Sequence, residues 1–247
     1  GWHDWYLSTN LSNKNNLNKH LMKNLNVYGV PKKLKNTVFN FEYNNFKQLE
    51  NIVNTKNIGV IKMEVERNQP PKNNFLTKVR KLANKKNIIL IFDECTTGFR
   101  RNFGGLHLIY NVNPDILILG KALGNGYAIN AVIGKRNVME YSKKTFISST
   151  FWTERIGSVA ANETLKTMQK LKSWETITKI GKKIKKNWLK ISKNNSLKLD
   201  ICGLDALARF DFCSKYNDLY KTFISQEMLK NKILASNTVY TCIYHDD

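Results

Sequence analysis

No apolar run in the 247-residue chain approaches the roughly 20 residues that a bilayer-spanning helix needs. The longest, Asn87 to Phe92, is strand-sized and stops at two acids. The chain opens on Gly1-Trp2-His3-Asp4-Trp5-Tyr6, with neither an initiator methionine nor a basic-then-apolar leader, and so reads as the middle of a longer protein. The four cysteines, Cys95, Cys202, Cys213 and Cys242, form no close pair and no metal-ligand spacing. That argues against a disulfide framework or a zinc module and favours a reduced, cytoplasmic setting. His3, His20, His107 and His245 are equally unpatterned, so no metal site is expected.

Acids are scarce as well: 19 Asp and Glu face 40 Lys and Arg, a net charge of +21. A basic face can release counterions from nucleic-acid phosphate. Here, however, the excess is nearly all lysine, spread among many asparagines along the chain. The densest run, Lys179 to Lys193, interleaves Ile180, Ile184, Trp188, Leu189 and Ile191 at helical spacing. A solvated face of an amphipathic helix is the simpler account, and it argues against a nucleic-acid partner.

The first forty residues are polar, Asn-rich and weakly patterned, and read as a long surface connection with a short amphipathic stretch near Leu17 to Leu25. Phe46 to Thr55 and Asn73 to Lys85 carry apolar residues at helical intervals. Ile58 to Glu64, Asn87 to Phe92, Ile116 to Leu119 and Ala131 to Gly134 read as short strands, with Asn87 to Phe92 covered on both faces. A short helix is expected over Leu106 to Tyr110. Strands alternating with helices predict an α/β fold with a mainly parallel sheet. Gly157 to Leu171 and the Lys-rich run predict two consecutive helices. Beyond them the pattern changes, with paired strands over Leu197 to Cys202 and Ala206 to Phe212 and a helix over Tyr216 to Lys232. The expected organisation is a large domain over 1–175 and a smaller α+β domain over 176–247.

In an open α/β sheet, ligands gather beyond the carboxyl ends of the parallel strands. Two polar features fall there. One strand ends in Asp93-Glu94 and another in Gly120-Lys121. An acid and a lysine at neighbouring strand ends form the pair that pyridoxal phosphate (PLP) requires: the amine for a Schiff base with its aldehyde, the carboxylate for its ring nitrogen. Taken alone the pair is weak, because a strand-end Asp often caps a helix and a loop lysine is usually just solvated.

The surrounding residues are more specific. Ile89-Leu-Ile-Phe-Asp-Glu-Cys-Thr-Thr-Gly-Phe-Arg100 resembles the aspartate motif of class-III aminotransferases. Pro114-Asp-Ile-Leu-Ile-Leu-Gly-Lys-Ala-Leu-Gly-Asn-Gly126 resembles their PLP-lysine motif, in the family's order and at about its separation. Gly1-Trp-His-Asp-Trp5 is similar to the continuation of a Tyr-His-Gly motif. Met63-Glu64 is similar to a Met-Glu-Pro strand end, with Val65 in place of the proline. Ser148 to Gly157 is similar to the segment that offers a threonine to the cofactor phosphate.

The resemblance implies a PLP-dependent transferase of fold type I, with Lys121 as the Schiff-base and proton-shuttling lysine and Asp93 as the partner of the ring nitrogen. It implies Thr150 at the phosphate, across the interface of a homodimer, and places the side chain of Thr96 close to the ring. Glu64 matches a family glutamate near the substrate, with a purely structural acid as the equal alternative. Gly124 and Gly126 would let the backbone turn behind the lysine. Trp2, Trp5 and Tyr6 read as core residues in preference to a wall of the cofactor pocket, and Arg100, Arg101 and Arg155 as candidates for a substrate carboxylate, since guanidinium binds carboxylates in two-pronged fashion.

The family's N-terminal phosphate loop is not represented, and the C-terminal domain stops early at Tyr240 to Asp247. The expectation is therefore a fragment that is weak or inactive alone. Thr150-Phe-Trp-Thr-Glu-Arg-Ile-Gly157 departs from the Gly-Asn-Pro turn of ordinary aminomutases. Within the family the reading is an enzyme like glutamate-1-semialdehyde 2,1-aminomutase, acting on a small amino or keto substrate. The alternatives are a sugar aminotransferase of polysaccharide synthesis and a catalytically silent PLP-fold binding protein.

Overall fold

The computed structural model describes residues 3–18 and 24–245. Gly1, Trp2, His20 and the middle of the expected Leu17 to Leu25 stretch lie outside them. The chain divides into two compact units, Gly1–Gly59 with Pro71–Ile88, and Val60–Pro70 with Ile89–Asp247.

In the first unit a short helix α1 (His3–Leu7) runs into a 3-10 turn, Ser8–Leu11. The polar stretch that follows is tied down by asparagine side chains rather than by regular structure. Asn10 receives the Leu17 amide at 3.1 Å and donates to the Leu25 carbonyl at 3.1 Å. Asn16 donates to the Thr9 carbonyl and Asn40 to that of Asn16. Asparagine suits this work because its amide both donates and accepts at backbone distance. Leu17 is thereby held fully buried. Trp5, expected in the core, is 41% exposed and rests edge-on against Tyr6 at 5.8 Å. The phenol of Tyr6 is pushed up to about 12 by burial.

Helix α2 (Phe46–Thr55) begins at an Asn45 side chain that accepts the Gln48 amide, one of the donors a helix start leaves unpaired. It buries Leu49 and Val53, one turn apart. Helix α3 (Phe75–Lys85) buries Phe75, Leu76, Val79, Leu82 and Ala83 and packs against α2.

The second unit holds a four-stranded sheet of β1 (Val60–Met63), β2 (Ile89–Asp93), β3 (Ile116–Leu119) and β4 (Ala131–Gly134), in that spatial order. The first two pairings are parallel and the last antiparallel. The β2 run does not read out as uniformly buried. Leu90 and Phe92 lie in the core, while Ile89, Ile91 and Asp93 are only half-buried. Register places Lys62 of β1 opposite Ile91 and Asp93 opposite Ile118, so one half-buried face collects the polar groups at the strand ends. The helix expected over Leu106 to Tyr110 is a single 3-10 turn, Leu106–Leu108.

After a short α4 (Arg136–Met139) come α5 (Ile156–Leu171) and α6 (Ser173–Asn194). Helix α6 packs on an antiparallel sheet of β5 (Leu199–Cys202), β6 (Leu207–Phe212) and β7 (Thr238–Tyr240), with α7 (Asn217–Lys230) between the last two in sequence. Trp188 meets Phe210 edge-on at 4.9 Å, and Lys185 donates to the Gly203 carbonyl at 2.5 Å and to Asp205 at 3.0 Å. A Cβ on Gly181 would stand 1.8 Å from the Asp205 carbonyl oxygen, so a side chain there would drive helix and turn apart. The expected apolar stripe of α6 is only partly used: Ile177 and Gly181 are buried, but Leu189 and Ile191 stand half exposed beyond the edge of the contact. No described helix is long and apolar enough to cross a membrane.

Candidate functional site

Asp93 is the last residue of β2, and Lys121 lies two residues beyond β3, with Gly120 between. Because β2 and β3 are parallel neighbours, both side chains emerge at the same edge of the sheet. Gly120 is needed for close approach rather than for its φ. A Cβ there would lie 2.1 Å from Asn130 Oδ1 and 2.5 Å from Cys95 Sγ. Lys121 itself takes a left-handed backbone, φ +46°, which costs an L-residue of this type about 1 kcal/mol. A Cβ on Gly124 would strike the Tyr127 carbonyl at 2.3 Å, while Gly126 has open space around it and φ +105°.

The amine of Lys121 donates to Thr96 Oγ1 at 2.6 Å. Thr96 is buried, whereas Lys121 is exposed, so the residue is anchored at a rigid point and open on its other side. Asp93 Oδ1 accepts the Cys95 amide at 3.2 Å, and Oδ2 pairs with Lys62 Nζ at 2.8 Å. Glu64 completes the group. Burial pushes its carboxyl up, the neighbouring Arg67 pulls it down, Asp93 raises it further and Lys121 lowers it, with a net upward result. Glu64, Asp93 and Lys121 therefore lie within electrostatic reach of one another. Burial, followed by the charge of Asp93, also pushes the Cys95 thiol up.

One residue of the site escaped the sequence reading. Glu94 is fully buried and its carboxylate gathers four donors. They are the amides of Leu106 and His107, the latter at 3.0 Å, the Thr97 hydroxyl at 3.4 Å, and the His107 ring at 2.7 Å. The carboxylate thereby ties the far end of the loop to the residue next to Asp93. Gly105 makes room for it, since a Cβ there would meet the His107 ring at 2.4 Å. The available signal was the acid itself, a second carboxylate after an apolar strand with nothing nearby in sequence to neutralise it.

The remaining candidates are scattered. Thr150 lies in an exposed turn over 150–153 and makes no side-chain hydrogen bond among the described residues. Arg155 is exposed beside it. Arg100 and Arg101 line a separate cavity of about 280 Å³ with Glu66, Thr178 and Asp205, where burial lowers the Arg100 guanidinium. No group of three or more His, Cys, Asp or Glu among the described residues could hold a metal ion.

A mainly parallel sheet with an amine and a carboxylate at neighbouring strand ends, followed by a small antiparallel layer, is the fold type I of PLP-dependent transaminases. Residues 66–237 match the family described as Aminotransferase class-III, and the chain belongs to that family. It is 28% identical to a 3-aminobutyryl-CoA aminotransferase of Cloacimonas acidaminovorans, over the whole of this chain and 59% of that protein. It is 39% identical to a glutamate-1-semialdehyde 2,1-aminomutase of Nitrosopumilus maritimus, over 59% of this chain and 36% of that protein. A solved transaminase with PLP bound superposes with a TM-score of 0.81 at 17% identity, covering all of this chain and 62% of that one, a likeness of fold. The chain spans less than two thirds of the length of these relatives.

Proposed function

We propose that this chain carries the cofactor-binding core of a PLP-dependent aminotransferase or aminomutase, with Lys121 as the residue that binds the cofactor aldehyde. The observation that carries this reading is the convergence of the exposed Lys121 amine, the Asp93 carboxylate and Glu64 at one sheet edge. The donor set fits the group: a primary amine for an aldehyde, a carboxylate for a protonated ring nitrogen. When bound, PLP withdraws electrons from the substrate carbon that loses a proton. Lys121 Nζ is the group placed to take and return that proton, and the Thr96 hydroxyl holds it in line. Asp93 fixes the ring nitrogen, with one carboxylate oxygen held by the Cys95 amide and the other by Lys62. Glu64 faces the substrate side, where burial favours its neutral form. Thr150 is the residue we assign to the phosphate.

The working unit we propose is a cytoplasmic homodimer that brings Thr150 to the partner's site. Phe146, Phe151, Trp152, Ile156 and Val159, which surround Thr150 in sequence, are all more than half exposed, as a covered interface would require.

For the reaction, we favour intramolecular amino-group movement of the glutamate-1-semialdehyde aminomutase kind, supported by relatives of that name at 31% and 39% identity over 70% and 59% of this chain. Incubation of the intact protein, with the parts that its relatives carry beyond this chain, with glutamate-1-semialdehyde tests it. Formation of 5-aminolevulinate without an added amino donor is expected. Turnover only when an external amino donor and keto acceptor are supplied would make the protein an ordinary transaminase.

A further inference from the structure

The carboxylate assigned to the ring nitrogen is already engaged by a cation. Lys62 sits on β1 opposite Ile91, on the same sheet face as Asp93, and its amine reaches Asp93 Oδ2 at 2.8 Å. Both side chains are only about a quarter exposed, 28% and 27%, so water screens the pair incompletely. The second oxygen, Oδ1, accepts the Cys95 amide. Among the described residues each oxygen of the carboxylate thus has one donor, which leaves it a lone pair for a ligand. A ring nitrogen binding there with its proton would place a second positive charge on a carboxylate that Lys62 already partly neutralises.

We infer that Lys62 is a positioning residue that fixes the rotation of Asp93 and weakens its grip on a protonated ring nitrogen. The inference rests on the reading of Asp93 as the ring-nitrogen partner. Its consequence is a cofactor held less tightly, and a ring that keeps its proton less firmly, than a lone aspartate would give. Neither consequence depends on Lys62 touching the substrate.

Titrating the intact chain with PLP, followed by absorbance, tests it. The comparison ligand is the carbocyclic analogue in which a C–H replaces the ring nitrogen. Lys62→Met should tighten PLP binding about fivefold, the scale of a partly exposed ion pair. The analogue should bind wild type and variant alike, because it offers Asp93 no proton. Lys62→Arg keeps the charge and should behave as wild type. Lys62→Gln is the second neutral variant should the Met form fold poorly, which circular dichroism reports. Unchanged or weaker PLP binding by the neutral variants overturns the inference, as does an equal shift for the analogue. If wild type takes up no PLP at Lys121, the site assignment fails and this inference with it. If wild type binds there and the neutral variants match it, only the role of Lys62 fails.

Discussion

The Lys121 amine and the Thr96 hydroxyl lie 2.6 Å apart, joining the end of one parallel strand to the loop that leaves its neighbour. This contact aims a long, flexible side chain that is otherwise open to solvent. Thr96→Val removes the hydroxyl with little change of volume. Since Lys121 can turn to water, the fold should lose no more than about 1 kcal/mol. PLP uptake at Lys121 should slow several-fold, and Thr96→Ser should restore it. Stopped-flow absorbance on the three proteins checks this.

Glu64 offers a pH signature. Burial holds its carboxyl above the ordinary 4.5, so ionising it in the folded chain costs more than in the unfolded one. That cost is absent below 4.5, where both states are protonated, develops as pH rises from 4.5 to the folded value, and stays constant above it. Glu64→Gln should therefore raise the melting temperature at neutral pH, with the gain vanishing as the medium is acidified. Calorimetry across that range decides it; a loss at neutral pH would mean that the ion pair with Arg67 outweighs burial.

Glu94 should be the most damaging carboxylate to remove. It is buried with four donors around it, and Glu94→Ala leaves two backbone amides and a histidine ring without their acceptor. The expected loss is about 3 kcal/mol, read from urea unfolding. Because the loop it holds begins at Asp93, PLP affinity should fall as well.

Gly181 sets helix propensity against packing. Alanine in mid-helix normally gains up to about 1 kcal/mol over glycine. Here the added Cβ meets the Asp205 carbonyl at 1.8 Å, and backbone cannot swing aside as a side chain would. Gly181→Ala should destabilise by about 2 kcal/mol, reversing the sign that propensity alone gives. Chemical denaturation of the single variant is sufficient.

How much of this was legible in the chain differs by the range of the interaction. Ile116–Leu119, Ala131–Gly134 and Phe46–Thr55 match their sequence patterns to the residue, because apolar periodicity and flanking turn residues are local signals. The nearness of Asp93 and Lys121 was also readable, since adjacent parallel strands bring their carboxyl ends together. The Lys62–Asp93 pair was not readable, because it depends on a register that no local pattern reports. Strand β7 was missed for a related reason: three residues with no apolar run pair only because β6 offers them an edge. In α6 the periodicity marked a stripe wider than its partner covers, leaving Leu189 and Ile191 in water.

Lys121, among many lysines, is the residue we assign to PLP. Mixing the purified chain with PLP, reducing with borohydride and mapping the modified peptides by mass spectrometry tests it directly. A single labelled peptide containing Lys121 is expected, absent in Lys121→Ala. Label spread over the surface lysines, or no label at all, would contradict it.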